Sequence, residues 1–142
     1  MGDSVLFDMN DDGTGVIYEI LERKNHLSRK AIKTRGASYR GERLEQVIAS
    51  NIDNIFIIVS TLEPDFNNKT LDRFLVACES SHIKTNIIIN KTDLADEETL
   101  NQWATLYKEI GYRVFLTSTK NSSGFTDLAK YLKGKKNLFW GQ

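Results

Sequence analysis

The stretch TNIIINKTDL, Thr85 to Leu94, decides how this chain is read: an apolar run ends abruptly in a polar quartet, Asn90, Lys91, Thr92 and Asp93. A strand that is apolar on successive residues is covered on both faces, as in a parallel α/β sheet. Ligands of such sheets bind in the crevice beyond the C-terminal ends of the strands. The quartet stands at that end.

Working outward, strand and helix alternate. IDNIFIIVS, Ile52 to Ser60, is a β-branched apolar run, followed by a turn holding the only proline, Pro64. Leu71, Phe74, Leu75 and Cys78 then fall at i, i+3, i+4 and i+7, one buried stripe of a helix, which makes Cys78 a core residue rather than a nucleophile. A second helix is predicted from about Glu97, with Leu100, Trp103, Ala104, Tyr107 and Ile110 on one face and Gly111 as its stop. RVFLTS, Arg113 to Ser118, reads as a third strand. Phe125, Leu128, Ala129 and Leu132 mark a third helix ended by Gly134, and NLFW, Asn137 to Trp140, begins a fourth strand. The order βαβαβαβ predicts a mostly parallel sheet with flanking helices.

The first fifty residues follow another pattern. SVLFDM and GVIYEIL are short segments joined by Asn10, Asp11, Asp12 and Gly13, the signature of an antiparallel hairpin. A lone hairpin is marginal, so this part reads as a piece of a small barrel or sheet. Between Arg23 and Arg43 stand eight basic residues, Arg23, Lys24, Arg29, Lys30, Lys33, Arg35, Arg40 and Arg43, against one acid, Glu42. This is the only strong charge asymmetry in the sequence. It reads either as a solvated loop or as a phosphate-contacting segment for RNA, with Tyr39 among the charges.

Composition narrows the class. At 142 residues and 40% hydrophobic content the chain is long enough for one ordinary core, or for one core plus part of another. Its formal net charge is zero and its pI is near 6.7, so any attraction to nucleic acid is local. Neither a membrane nor DNA is an expected partner. A single cysteine excludes an internal disulfide and a cysteine-based zinc cluster, and fits a reducing, cytoplasmic setting. His26 and His82 lack Cys, His or Glu at ligand spacing and are read as structural or surface residues.

The quartet suggests a chemistry. A carboxylate at Asp93 offers two acceptor oxygens, and guanine carries two donors side by side, its N1 hydrogen and its 2-amino group. Adenine presents an acceptor at N1 and leaves the carboxylate unpaired. A site built on such a bond rejects the wrong partner by roughly 10⁴-fold or more. Asn90 can bridge the base and a neighbouring loop, and the Lys91 stem can lie along the ring with its ammonium in water. Thr92 has no required role. N-K-x-D arises by accident in on the order of one chain in fifty of this size, but here a second polar cluster, Ser118, Thr119 and Lys120, follows the next strand. Adjacent parallel strands bring two such ends together.

A nucleotide site also needs a phosphate cradle, normally a glycine-rich loop of the form G-x-x-x-x-G-K-[ST]. The chain contains no such loop; Gly141 stands where one would begin. Base motif ahead of phosphate loop is the reverse of ordinary small GTPases. It resembles the circularly permuted GTPases that assist assembly of the small ribosomal subunit, the RsgA/YjeQ/EngC family. GDSVLF and the hairpin resemble the end of that family's OB barrel. QVIASNIDNIFIIVS is similar to its entry into the GTPase domain, NKTDL to its guanine motif, TSTKNSSG to its second base-contacting loop and NLFWGQ to the lead-in to its phosphate loop.

The resemblance implies an α/β fold: a partial, circularly permuted P-loop GTPase-type sheet preceded by a remnant of an OB-type antiparallel barrel. It implies an OB-like segment and basic linker over 1–50, and the N-terminal half of a GTPase domain over 51–142. It implies that Asn90 and Asp93 contact guanine, that Lys91 packs on the base, and that Ser118, Thr119 and Lys120 support it, with a backbone N–H reaching the base oxygen. The family usually has Ala where Thr119 stands, and a backbone contact tolerates the change. GTP or GDP is the expected ligand, and the small ribosomal subunit and rRNA the expected partners. Mg²⁺, a structural zinc and every catalytic group are expected outside this chain, which reads as an internal piece of a GTP hydrolase, itself inactive. The rival reading is a non-enzymatic rRNA-binding module with the α/β part as scaffold.

Overall fold

The computed structural model describes residues 1–30 and 45–141, which form two compact units, 1–52 and 53–142. In the first, β1 (Val5–Met9) and β2 (Gly15–Ile20) pair antiparallel with a bulge between Leu6 and Phe7. The connecting turn is tied by the Asp12 carboxylate, which accepts from the Thr14 amide at 2.9 Å and from its hydroxyl at 2.6 Å. A second ribbon pairs β3 (His26–Lys30) with β4 (Glu45–Ser50), also antiparallel. This pairing is not legible in the sequence, because the charges of β3 mask its strand pattern. The described residues of this unit form two separate two-stranded ribbons.

Of the basic segment, Lys33, Arg35, Arg40 and Arg43, with Tyr39 and Glu42, lie outside the described residues. Arg23 is not available as a free phosphate contact: its Nε donates to Asp3 at 2.6 Å and its Nη2 at 3.2 Å. That guanidinium, helped by the Ser50 hydroxyl, holds the Asp3 carboxyl down at about 2.

The second unit contains the predicted parallel sheet, in the order β7-β6-β5-β8. Its strands are β5 (Asn54–Ser60), β6 (Thr85–Asn90), β7 (Arg113–Leu116) and β8 (Asn137–Gly141), and every pairing is parallel. Because side chains alternate across a strand, β5 serves two cores. On one face Phe56 packs with Ile88 and Leu128 of α3 (Phe125–Leu132) and stacks on Phe139. On the other lie α1 (Asn68–Glu79) and α2 (Glu97–Ile110). There Phe74 meets Trp140 edge-on at 4.8 Å, and buried Tyr107 donates its hydroxyl to Asp72 at 2.9 Å, tying α2 to α1.

The helices begin and end where the residues dictate. Asn67 and Asp96 cap α1 and α2, accepting from the amides of Thr70 and Thr99. Gly111, at φ 111°, closes α2 in the left-handed conformation that a side chain disfavours. Leu71, Leu75 and Cys78 are buried as the spacing predicts, and desolvation pushes the Cys78 thiol up to about 11. Two helical stripes are corrected at their ends. Ile110 is 61% exposed, because it occupies the last turn of α2, beside the exposed Gly111. In α3, Phe125 and Ala129 face solvent, while Tyr131 packs beside Leu128 and Leu132.

Candidate functional site

The polar quartet and the Ser118–Lys120 turn meet at the C-terminal ends of β6 and β7, joined there by the loop after β5. Asn90 ends β6, and Lys91 follows at φ 60°, a left-handed residue that breaks the strand and swings Thr92–Leu94 into a short 3-10 turn. Thr61 secures the turn from β5: its amide donates to the Asn90 carbonyl at 3.1 Å and its hydroxyl to the Lys91 carbonyl at 2.6 Å. The Lys91 ammonium donates to the Glu63 carbonyl, so the side chain spans from the β6 loop to the β5 loop. The bond lies at an exposed position and uses one of the three donors of the ammonium, which leaves the others to water.

The β6 and β7 loops are fastened to each other. Thr117 Oγ1 donates to Asn90 Oδ1 at 3.1 Å, and both the amide and the hydroxyl of Thr92 donate to the Thr117 carbonyl at 3.2 Å. Thr92, with no role evident from sequence, is thus a clamp between the two loops. The Ser118 hydroxyl donates to Asp93 and accepts from the Asn121 amide at 3.2 Å. Ser118 and Ser123 exchange backbone bonds at 3.2 and 3.1 Å, closing the TSTKNSSG turn. At Gly124, φ 79°, a Cβ would sit 1.9 Å from the Leu116 carbonyl oxygen. No side chain fits there, so the turn depends on glycine.

Electrostatics favour an ionised acceptor. The Ser118 hydroxyl holds the Asp93 carboxyl below its ordinary value, and the backbone amide of Asp93 and the charges of Lys120 and Lys91 act in the same direction against partial desolvation. Thr117 and Ser118 are buried, Asn90, Lys91 and Asp93 are half-buried, and Thr119 and Lys120 are exposed. The bulk of Thr119 therefore costs the turn nothing. The structure brings Asn90, Asp93 and Ser118 into one hydrogen-bonded group, while Thr119 and Lys120 stand at its rim. Thr61, Thr92, Thr117 and Gly124 complete the frame. Of these only Gly124 carries a sequence signal, as a turn glycine before a helix.

This joined pair of loops on a parallel sheet can be set against known proteins. The sequence profile of the RsgA GTPase family matches residues 20–142. The chain belongs to the RsgA GTPase family. Among RsgA relatives, it is 37% identical to the small ribosomal subunit biogenesis GTPase RsgA of Geobacillus sp. (strain WCH70), with all of this chain and 44% of that protein covered. It is 39% identical, at the same coverage, to RsgA 2 of Oceanobacillus iheyensis. Its fold matches the crystal structure of YjeQ from Thermotoga maritima with a TM-score of 0.77 at 30% identity, over 99% of this chain and 45% of that one. YloQ, a circularly permuted GTPase, matches with a TM-score of 0.75 at 32% identity over the same shares. The chain thus spans less than half the length of the RsgA relatives it matches.

Proposed function

We propose that this chain supplies the guanine-recognising part of a GTP-binding and GTP-hydrolysing factor that acts in assembly of the small ribosomal subunit in the cytoplasm. One observation carries the reading: the Asp93 carboxylate is fixed by the Ser118 hydroxyl where the loops after β6 and β7 join. A carboxylate so held is ionised and oriented at neutral pH, and its remaining lone pairs suit the paired N1 and 2-amino donors of guanine. Asn90, tied to Thr117, sets the wall of the base site; the Lys91 stem flanks the ring; and a backbone N–H of the Ser118, Thr119 and Lys120 turn meets the base oxygen.

The site is preorganised by its frame rather than by a ligand. Thr61, Thr92 and Thr117 lock the loops with bonds that no nucleotide supplies. Hydrolysis needs phosphate positioning and charge neutralisation. The chain has no phosphate loop. Among the described residues no group of three or more His, Cys, Asp or Glu could hold a metal ion. GTP or GDP bound by the whole protein therefore takes its phosphate contacts from elsewhere. The small subunit and its rRNA are the proposed partners of the whole protein, with Lys24, Arg29, Lys30, Lys33, Arg35, Arg40 and Arg43 as candidate RNA contacts.

Asp93→Asn in the intact protein tests the reading. It replaces an acceptor with a donor opposite the guanine N1 hydrogen, and is expected to weaken GDP binding by about tenfold to a hundredfold while salt-sensitive RNA binding stays intact. Unchanged GDP affinity by calorimetry would overturn the assignment. The 142-residue chain is expected to show no metal-dependent GTP turnover.

A further inference from the structure

The loop that follows β5 grips one residue of the quartet at both ends. Thr61, a buried residue, donates its hydroxyl to the Lys91 carbonyl at 2.6 Å, and the Lys91 ammonium reaches back to donate to the Glu63 carbonyl. Lys91 and Glu63 both hold left-handed backbone, at φ 60° and 52°, although neither is glycine. A residue with a side chain persists in that conformation only where its surroundings hold it there.

The loop is itself anchored. The Phe66 amide donates to the Thr61 carbonyl at 3.1 Å, which closes the segment from 61 to 66, and the Phe66 ring packs on Trp103 of α2 with centroids 4.7 Å apart. The Thr61 amide meanwhile donates to the Asn90 carbonyl at 3.1 Å, so one threonine fixes the carbonyls of two successive residues. A hydrogen bond at a part-buried carbonyl is worth more than one in water. The Thr61 hydroxyl therefore supplies the grip, and the exposed bond from Lys91 to Glu63 supplies only a direction for the stem.

We propose that Thr61 is a positioning residue of the base site: its hydroxyl holds Lys91 in the left-handed turn that lays the lysine stem along the purine ring, so nucleotide affinity depends on a side chain that acts only through Lys91. The inference rests on the guanine reading above, because it takes the Lys91 stem as the flank of the ring. Asp93 has a separate anchor in the Ser118 hydroxyl. Loss of the Thr61 hydroxyl therefore disturbs the contact with the ring face and leaves the contact with the paired donors in place. The two contacts can be told apart by nucleotide, since inosine diphosphate offers the same ring face without the 2-amino group.

Equilibrium binding of GDP and inosine diphosphate to the intact protein tests it. Thr61→Val keeps the shape of the side chain without the hydroxyl, and is expected to weaken both nucleotides about fivefold with their ratio unchanged. Thr61→Ser is expected to restore most of the affinity. In a Lys91→Gly background, where glycine adopts the left-handed turn unaided, Thr61→Val should cost nothing further. Thr85→Val, which removes a buried hydroxyl bond to the Ile83 carbonyl at the far end of β6, should lower stability and leave both affinities unchanged. Asp93→Asn should instead shrink the preference for GDP over inosine diphosphate; an unchanged preference overturns the guanine reading and this inference with it. If Asp93→Asn acts as expected, the inference alone is overturned by wild-type affinity in Thr61→Val, by no recovery in Thr61→Ser, by an undiminished loss in the Lys91→Gly background, or by an equal loss in Thr85→Val.

Discussion

Asp93 and Ser118 show how a single hydroxyl prepares a carboxylate. Because the folded-state value of Asp93 is lowered, its contribution to stability is present above the ordinary carboxylate value of 3.8 and is lost as pH falls through the lowered one. Ser118→Ala removes the largest cause of that shift. The Asp93 carboxyl should then titrate closer to 3.8 when followed by NMR. A titration curve unmoved by the substitution would show that the Asp93 amide, Lys120 and Lys91, not the hydroxyl, hold the carboxyl down. Gly124 makes a harder demand: Gly124→Ala places a methyl against the Leu116 carbonyl at a position whose φ already disfavours side chains. The expected loss is about 2–4 kcal/mol in chemical denaturation.

At the scale of elements, the alternation of β5 and the stripe of α1 decide the packing. Leu71→Ala opens a cavity at a position with no exposed surface and is expected to cost about 3 kcal/mol, read as a lower denaturation midpoint with an unchanged m-value. Cys78 lies on the same stripe with its thiol pushed up to about 11, so little thiolate forms at neutral pH. Iodoacetamide is expected to label it only after unfolding; rapid labelling of the native chain would place the thiol outside the core. The stripes of α1 and α2 are legible in sequence because helical spacing writes them directly. Their limits are not, since Ile110 keeps the period of α2 at its exposed end.

Across the whole molecule, protection is expected to follow burial. All of β6 except Asn90 is buried, and β5 exposes little, whereas β1 and β2 leave Phe7, Val16, Ile17, Tyr18 and Ile20 more than half exposed. Hydrogen exchange should therefore be slowest at the amides of β5 and β6 and fastest in the β1–β2 ribbon. Comparable protection in both would mean that the ribbon's apolar residues are covered in solution.

The sequence alone determined the parallel α/β class, the three helices, the β1–β2 hairpin and the motif N-K-x-D at the end of a buried strand. Periodicity and turn chemistry are local, and a strand apolar at every residue reports both of its faces. It also brought Ser118 to notice, as a polar cluster after the neighbouring strand. What it did not carry is contact between residues far apart in the chain. Thr61, Thr92 and Thr117 look like ordinary loop threonines until the sheet sets three strand ends side by side. Lys84, Arg113 and Lys135 read as scattered charges until the fold gathers them on one tyrosine. Tertiary structure decided both, because a hydrogen bond or a cation over a ring depends on distance in space, which separation along the chain does not encode.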